Sequence, residues 1–359
     1  MNLQPKSLSQ LAFKKFKQNK VGLISLFFIL FCGFIAVFCY HLAPDNSNFA
    51  NQMHLEIHSK PPGFKVNMLT IPSDEKKENS FIDFIINGNK ITGTEIPILS
   101  YSIQGENLEI IQYADGLAKQ YPLSVINNKP KIFIKQRNFI LGTDKYGRDL
   151  LSRLLIGTRI SFSIGFIAVF ISLFIGVFIG ALAGYFGGKI DTFIMWIINI
   201  TWSIPTLLLV IAITLALGKG VWQVFIAVGL TMWVEVARVV RGQVITTKQE
   251  QYVEAAKALG FSDFRIIFRH ILPNIMAPII VISAANFAGA ILIESGLSFL
   301  GIGAQPPTPS WGAMIKNHYN YIILGKPFLA IIPGLAIMSL VMAFMLLGNS
   351  LRDALDVKN

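Results

Sequence analysis

Six stretches of this chain are too apolar to be left in water. Residues 21–43, 160–183, 193–217, 221–237, 276–300 and 327–348 each run predominantly through aliphatic and aromatic side chains. About 20 residues of helix, each rising about 1.5 Å, cross the hydrocarbon core of a bilayer. In lipid every backbone amide must be bonded within its own segment, so such runs are read as spanning helices. The expectation is an all-α polytopic membrane protein with six transmembrane helices. A composition of 53% hydrophobic and only 14% charged residues excludes an ordinary water-soluble domain.

The net charge of +11 could suggest nucleic acid as a partner. Its distribution argues otherwise, because five Lys and no acidic residue fall within residues 1–20, hard against the first run. Positive residues are retained on the cytoplasmic side of a membrane, so lipid is the partner these lysines imply, and the N-terminus is expected in the cytoplasm. Six crossings return the C-terminus to the same side. The connection between the fourth and fifth runs then also faces inward, and Arg238, Arg241, Lys248, Lys257, Arg265 and Arg269 there outweigh Glu250, Glu254 and Asp263. The first run is full-length and lacks a small-residue cleavage site, so it reads as a span and not a cleaved signal. Cys32 and Cys39 both lie in that run and are read as small apolar residues.

Residues 44–140 separate the first two runs. SYSIQGENLEIIQY and KIFIKQ alternate partially, with β-branched and aromatic residues between Gly, Asn and Pro, and predict short strands in a small external insertion. His54 and His58 flank Glu56, but His-x-Glu-x-His is not the spacing of a helical zinc site, and no metal is assigned.

The polar stretch QYVEAAKALGFSDFRIIFRHILPN, Gln251–Asn274, lies between two spans. Glu254, Ala255 and Ala256 sit among good helix formers that end at Gly260, the residue type that most easily takes a left-handed terminating conformation. Ser262 is a suitable N-cap for a second helix, in which Phe264, Ile267, Phe268 and Ile271 fall on one apolar face. Pro273 is expected to end that helix before the next span. Two short helices joined at a Gly make a knob on a membrane domain, and an amphipathic helix lying on the bilayer surface is the competing reading.

This stretch resembles the EAA loop of ABC-importer permeases. Glu254, Ala255, Ala256, Gly260, Leu272 and Pro273 match that pattern at its spacing, while His270 stands where the family has Ile, as in the dipeptide, oligopeptide and nickel branch. The segment LGTDKYGRDL resembles the same branch at Gly142, Thr143, Asp144, Gly147, Arg148 and Asp149, and so do ILIESGLSFLG around Glu294, GIGAQPPTPSWG, and the Arg352-Asp353 ending. The resemblance covers residues 141–359 strongly and the first span weakly, and implies a type I permease fold with 141–359 a core whose EAA loop occupies about 239–275; residues 1–20 are read as a cytoplasmic basic N-terminus, 21–43 as the first span, and 44–140 as a periplasmic insertion whose role the resemblance does not cover. It further implies a second related permease forming a heterodimer, two cytoplasmic ATPase subunits, an external substrate-binding protein, and a bacterial inner membrane. In that family the loop docks in a cleft of the ATPase, and Ala256 and Gly260 would keep the docking surface free of bulk.

Other residues are read physically. Thr143 or Asp144 can start a turn, after which Leu150, Leu151, Leu154 and Leu155 stripe an interfacial helix leading into the second span. Ala168, Ser172, Gly176, Gly180 and Gly184 recur every four residues and form a groove for a close-packed neighbour. Pro205 is expected to kink the third span, either passively or as a substrate contact. Asn286 and Glu294 lie in the fifth span, where a charge costs roughly 2.5–3.5 kcal/mol unless it faces protein or water. With Pro205 they form a candidate translocation path; for Glu294 a place near the outer surface or against a partner subunit is equally open.

A nucleotide-holding glycine loop is missing from the sequence: Gly188-Lys189, Gly218-Lys219 and Gly325-Lys326 lack both the earlier Gly and the following hydroxyl. No catalytic residue and no cofactor are therefore assigned, and ATP hydrolysis is expected in a partner. The expected function is an ATP-driven permease subunit passing peptides or similar small solutes. The alternatives are an ion-coupled secondary transporter or channel, for which Glu294 and Glu235 supply few carboxylates, and a membrane scaffold for residues 44–139.

Overall fold

The structure is a computed structural model that describes residues 8–72, 80–90, 93–113, 116–126 and 133–356. It divides into a helical unit, Met1–Gly33, Ser161–Gln305 and Ala336–Asn359, and a sheet-containing unit, Phe34–Ile160 and Pro306–Leu335. Among the described residues, twelve α-helices carry most of the chain: α1 Leu8–Gln18, α2 Lys20–Leu42, α3 Phe81–Asn87, α4 Leu150–Phe186, α5 Gly188–Ser203, α6 Thr206–Leu217, α7 Val221–Thr247, α8 Gln251–Ala258, α9 Asp263–Ile266, α10 Met276–Leu300, α11 Trp311–His318 and α12 Phe328–Leu355. Among the described residues, five helical stretches are long and apolar enough to cross a membrane, six if the bent pair α5 and α6 counts as one span.

The helical unit is built around α7. The small-residue groove of α4 receives it: a Cβ on Gly176 would stand 2.7 Å from the Trp233 carbonyl oxygen, on Gly180 2.5 Å from that of Ala237, and on Gly184 2.8 Å from that of Arg241. Gly229 of α7 returns the favour, since a Cβ there would meet Ile171 at 2.7 Å. Backbones in lipid approach this closely only through small residues, and dispersion contacts replace the driving force that water would supply. Ala290 and Leu297 of α10 join Val224, Phe225 and Val228 of α7 in one buried cluster with Val210 of α6.

Three expectations are corrected. The third span is not merely kinked: α5 and α6 meet at 92°. Ile204 is extended (φ −91°, ψ 129°) and Pro205 has no N–H to continue the ladder, while the Ser203 hydroxyl donates to the Ile200 carbonyl at 2.7 Å and occupies a terminal acceptor. The helix expected to stop at Ala237 runs on to Thr247, so Arg238 and Arg241 belong to α7 and not to a loop beginning near 239. Arg241 forms a two-pronged ion pair with Asp191 (2.5 and 2.6 Å), and Arg238 bonds Asn199 at 2.8 Å with its guanidinium 3.6 Å from the Trp202 ring centroid, so neighbouring α5 absorbs both charges. Pro273, finally, does not end the second short helix. A wide π turn, Ile267–Ile271, and a 3₁₀ turn, Leu272–Ile275, with the Pro in its first positions, carry α9 into α10. The local change of pitch accommodates the missing N–H.

The sheet-containing unit holds a five-stranded antiparallel sheet of order β4-β3-β2-β1-β5, with β1 Phe64–Pro72, β2 Gly93–Gln104, β3 Asn107–Gln112, β4 Ala118–Pro122 and β5 Ile134–Phe139. The predicted SYSIQGENLEIIQY segment forms the β2–β3 hairpin, turning at Gly105 (φ +61°), and KIFIKQ contributes to β5, its Lys131 and Ile132 lying outside the described residues. β1 is covered on both faces: Leu69 packs with Ile98, Leu108, Ile110 and Ile126, while Val66 and Met68 pack with Ile57 and Phe139.

The Gly142–Asp149 segment is a buried turn in this unit. Asp144 accepts from the backbone N–H of Tyr146 (2.8 Å) and Arg148 (3.0 Å) through Oδ1, and from the Arg148 guanidinium at 2.7 Å through Oδ2. Thr143 Oγ1 accepts from the Lys60 N–H at 2.8 Å, and Asp149 accepts from the Ser152 N–H at the start of α4. Gly147 (φ +72°) admits no side chain, because its Cβ would collide with the His54 carbonyl. The segment then enters α4 directly. Leu150 is buried, Leu151, Leu154 and Leu155 are half-buried, and the helix that carries them runs without a break into the second span.

Candidate functional site

The EAA-like residues lie on α8 and the turn after it. Gly260 takes φ +77°, and the Phe261 N–H reaches back to the Ala256 carbonyl at 3.2 Å, which closes the helix as its sequence predicts. Ser262 has the extended N-cap conformation, although its side chain makes no capping bond. A Cβ on Gly260 would meet nothing within 4 Å, so the position opens to solvent.

The two faces of this knob differ sharply. Val253 and Ala256, with Ile266, Ile267 and Ile271, sink into a cluster with Ala181 and Tyr185 of α4 and Val236, Val240 and Val244 of α7. Half-buried Leu272 packs against the same cluster, and Pro273 is exposed. Ala256 is only 4% exposed, whereas Leu259 is 74% exposed, so Ala256 lets α8 seat closely on its own protein and does not present a surface. Glu254 and Ala255 face outward with Gly260. The single apolar face read from the sequence is in fact two stripes. Ile267 and Ile271 go inside, while Phe264 and Phe268 stay exposed with their rings stacked, centroids 6.4 Å apart. A helix apolar on more than one side carries that signal in its sequence.

Polar contacts tie the knob to the ends of the long helices. The Tyr185 hydroxyl donates to Asp263 Oδ1 at 2.7 Å, and the Lys248 ammonium bonds the Tyr185 carbonyl while lying 5.2 Å from that ring's centroid. An open hollow of about 420 Å³ beside them is lined by Tyr185, Lys248, Glu254 and Lys257. His270, at the position where the resembled pattern has Ile, stacks on Phe261 at 5.8 Å, and the Arg265 guanidinium lies 4.1 Å from the centroid of the same Phe261 ring. A push on the exposed side of this knob therefore reaches α4, α7 and α10 through packed contacts.

Within the spans, one of the three candidate path residues, Asn286, lines a hollow, and Pro205 lies in the chain between two of its other lining residues. Ile204 and Thr206, either side of Pro205, line this hollow of about 230 Å³ together with Trp202, Glu235 and Asn286. Asn286 is buried, and its Nδ2 has no acceptor among the described residues. Glu294 does not line this hollow. It is buried further along α10, accepts from the Ser298 hydroxyl at 2.6 Å, and Ser298 Oγ in turn accepts from the Ala304 N–H at 3.1 Å. That chain of bonds fixes the turn after α10.

A family model for the binding-protein-dependent transport system inner membrane component matches residues 176–358, and one for the N-terminal transmembrane domain of oligopeptide transport permease C matches residues 7–62. The glutathione transport system permease protein GsiD of Pectobacterium atrosepticum is 44% identical over 218 residues, 61% of this chain and 72% of that protein. Its counterpart in Escherichia coli O6:K15:H31 is 43% identical over 233 residues, 65% of this chain and 75% of that protein. Among solved structures, a chain of the MetNI methionine ABC transporter in an inward-facing conformation aligns with 19% identity over 56% of this chain and 96% of that chain, at a TM-score of 0.45. A family match over half of the chain, joined by relatives covered for most of their length, places it: the chain belongs to the binding-protein-dependent transport system inner membrane component family, as a multi-pass permease subunit of a bacterial ABC importer that works with a second permease and a substrate-binding protein and leaves ATP hydrolysis to separate ATPase subunits.

Proposed function

We propose that this permease moves peptide-sized solutes, and that the knob formed by α8 and α9 is where the ATPase delivers its work. The cargo reading rests on relatives named for glutathione, itself a small peptide, and on the oligopeptide permease C match at the N-terminus. The mechanical reading is carried by one observation: Glu254, Ala255, Leu259, Gly260, Phe264 and Phe268 are exposed on a knob whose other face is locked into α4 and α7. ATP binding in the partner has to favour one arrangement of the spans through differential contacts with this surface, since a ligand shifts an equilibrium only by its difference in affinity for the two states.

This assignment puts the knob in the cytoplasm, together with both termini, and residues 44–140 outside. The lysines of residues 1–20 support that orientation. Pro205 and Asn286 then border the path at the broken span, while Glu294 has a structural role at the end of α10.

Gly260→Gln tests the mechanical reading. A non-Gly residue at φ +77° is strained by about 1–2 kcal/mol, but nothing lies within 4 Å of its Cβ, and the side chain projects into the proposed docking surface. In the reconstituted importer, solute-stimulated ATP hydrolysis and uptake are expected to fall together while the complex remains assembled. Normal coupling would count against the knob, and uptake driven by an ion gradient without the ATPase would count against the importer itself.

A further inference from the structure

The short helix α3 in the sheet-containing unit is not explained by permease function. Its sequence, FIDFIIN, leaves Phe81 67%, Ile82 68% and Ile86 59% exposed, a concentration of bare apolar surface that a water-facing segment of seven residues does not carry without a partner. Asp83 and Asn87 bond each other at 2.7 Å, one turn apart on its polar side.

The position of α3 is held by Arg159. Its guanidinium donates to the carbonyls of Ile85 (2.7 Å) and Ile86 (3.0 Å) in the last turn of α3, and to those of Ala36 (2.7 Å) and Val37 (2.8 Å) in the first span. Those two span carbonyls accept from Arg159 beside Phe38, whose dihedrals (φ −100°, ψ 21°) break the regular helix. A cation at a helix C-terminus is favoured electrostatically, so the clamp suits both ends that it joins. From the span outward, ring contacts continue without interruption: Phe34 to Phe38 at 4.8 Å, Phe38 to His41 at 6.1 Å, and His41 to Phe84 at 4.7 Å and Phe81 at 6.1 Å. Phe34, Val37 and Leu42, on that end of the span, are themselves exposed.

We infer that α3 is a lipid-seated anchor: its Phe81, Ile82 and Ile86 face enters the boundary between headgroups and acyl chains of the leaflet reached by the Phe34–Leu42 end of the first span. The argument for lipid over a protein partner is continuity. The aromatic ladder extends the lipid-facing surface of an established span onto α3, and an amphipathic helix whose apolar face carries residues such as Phe and Leu lies in the plane of the headgroup–acyl boundary. Lys90, exposed just beyond α3, suits the phosphates of the same layer. The anchor ties the inserted sheet to the membrane independently of which face of the bilayer it occupies, and it does not depend on the cargo or on the coupling knob.

The test places an environment-sensitive fluorophore at Ile82→Cys, in a background with the buried Cys32 and Cys39 replaced by Ala, and assembles the complete importer in lipid nanodiscs. Nitroxide-labelled phosphatidylcholine is expected to extinguish most of this emission and to leave a fluorophore at Gln104→Cys, in the exposed end of β2, unchanged; aqueous iodide should do the reverse. Emission at position 82 that resists nitroxide lipid overturns the inference, whether iodide quenches it, which places α3 in water, or neither agent does, which places it under a protein subunit. In the same labelled protein, Arg159→Gln is expected to shift quenching at position 82 from nitroxide lipid toward iodide. If that variant fails to assemble, the result at position 82 alone decides.

Discussion

The turn Gly142–Asp149 and the knob Gln251–Asn274 both carry sequence patterns that resemble ABC-importer permeases, and both combine charged residues with a Gly at positive φ, yet they use those residues in opposite ways. In the turn the polar groups are consumed internally: Asp144 is wholly buried and saturated by two backbone N–H groups and a guanidinium, and Thr143 bonds the neighbouring backbone. In the knob Glu254, Lys257 and Arg269 all point outward from an apolar base. A family motif whose side chains satisfy one another preserves shape, whereas one whose side chains are left over preserves a contact. Burial and bonding separate the two where sequence matching does not.

The largest expected effect falls on the turn. Asp144→Ala leaves Arg148 and Arg153 buried without their carboxylate, and breaking a buried ion pair from one side costs about 3–5 kcal/mol. Thermal unfolding of the detergent-solubilised complex should drop steeply, and Asp144→Asn, which keeps an acceptor for the Tyr146 and Arg148 N–H groups, should recover part of it. Wild-type stability with abolished uptake would break the comparison by making the turn a working part. Within the knob, Ala256→Leu overpacks the α8 seat and is expected to destabilise by about 1–3 kcal/mol. Replacing Phe264 and Phe268 by Ser should change stability by no more than about 1 kcal/mol, two exposed substitutions of about 0.5 kcal/mol each. That double variant should nevertheless lose co-purification with the ATPase. If it unfolds as readily as Ala256→Leu and still binds the ATPase, the inside and outside of the knob have been assigned the wrong way round.

The sequence made some of this legible, and the reasons are specific. Gly260 was readable because a helix terminus leaves one residue in the left-handed region and Gly is the residue type that enters it without strain. The α4 groove was readable because Gly at every fourth position has one geometric meaning. Pro205 and Pro273 show the limit: the same residue breaks one helix through 92° and is absorbed by a change of pitch in another. What decides is the neighbourhood, an extended Ile204 and a competing Ser203 hydroxyl in the first case and a widened turn over a packed cluster in the second. Arg238 and Arg241 were misplaced into a loop because a hydropathy boundary ends where charges begin, whereas a helix continues wherever Asp191, Asn199 and Trp202 can receive them. The inward face of Ala256 was hidden for a related reason. Ala is compatible with both a bare surface and a tight seat, and only the partner cluster distinguishes them.

The smallest expected effect sharpens the idea that the turn is purely structural. His318 of α11 is buried in the same unit; its Nε2 accepts from the Lys145 N–H at 3.4 Å, which assigns the proton to Nδ1, facing the Met314 carbonyl at 2.7 Å. Burial holds the ring below its ordinary pKa, with Lys145 and Arg148 adding to the shift and Asp144 opposing it. The unfolded state, with a His pKa of about 6.5, therefore binds a proton that the native state refuses. Stability contributed by neutral His318 is fully present above about pH 6.5 and is lost as pH falls below it toward the depressed native value, by at most about 1.4 kcal/mol per pH unit. Burial pushes the Asp149 carboxyl up, and Glu95 is held below its ordinary value, but both titrations are common to the two proteins, so a difference curve between wild type and His318→Gln isolates the His between about pH 5 and 7. The wild type should lose thermal stability relative to the Gln variant over that interval, with uptake following stability. Parallel curves would remove His318 from the account of the turn, and a loss of uptake at unchanged stability would make the Lys145–His318 contact a working part of the transporter.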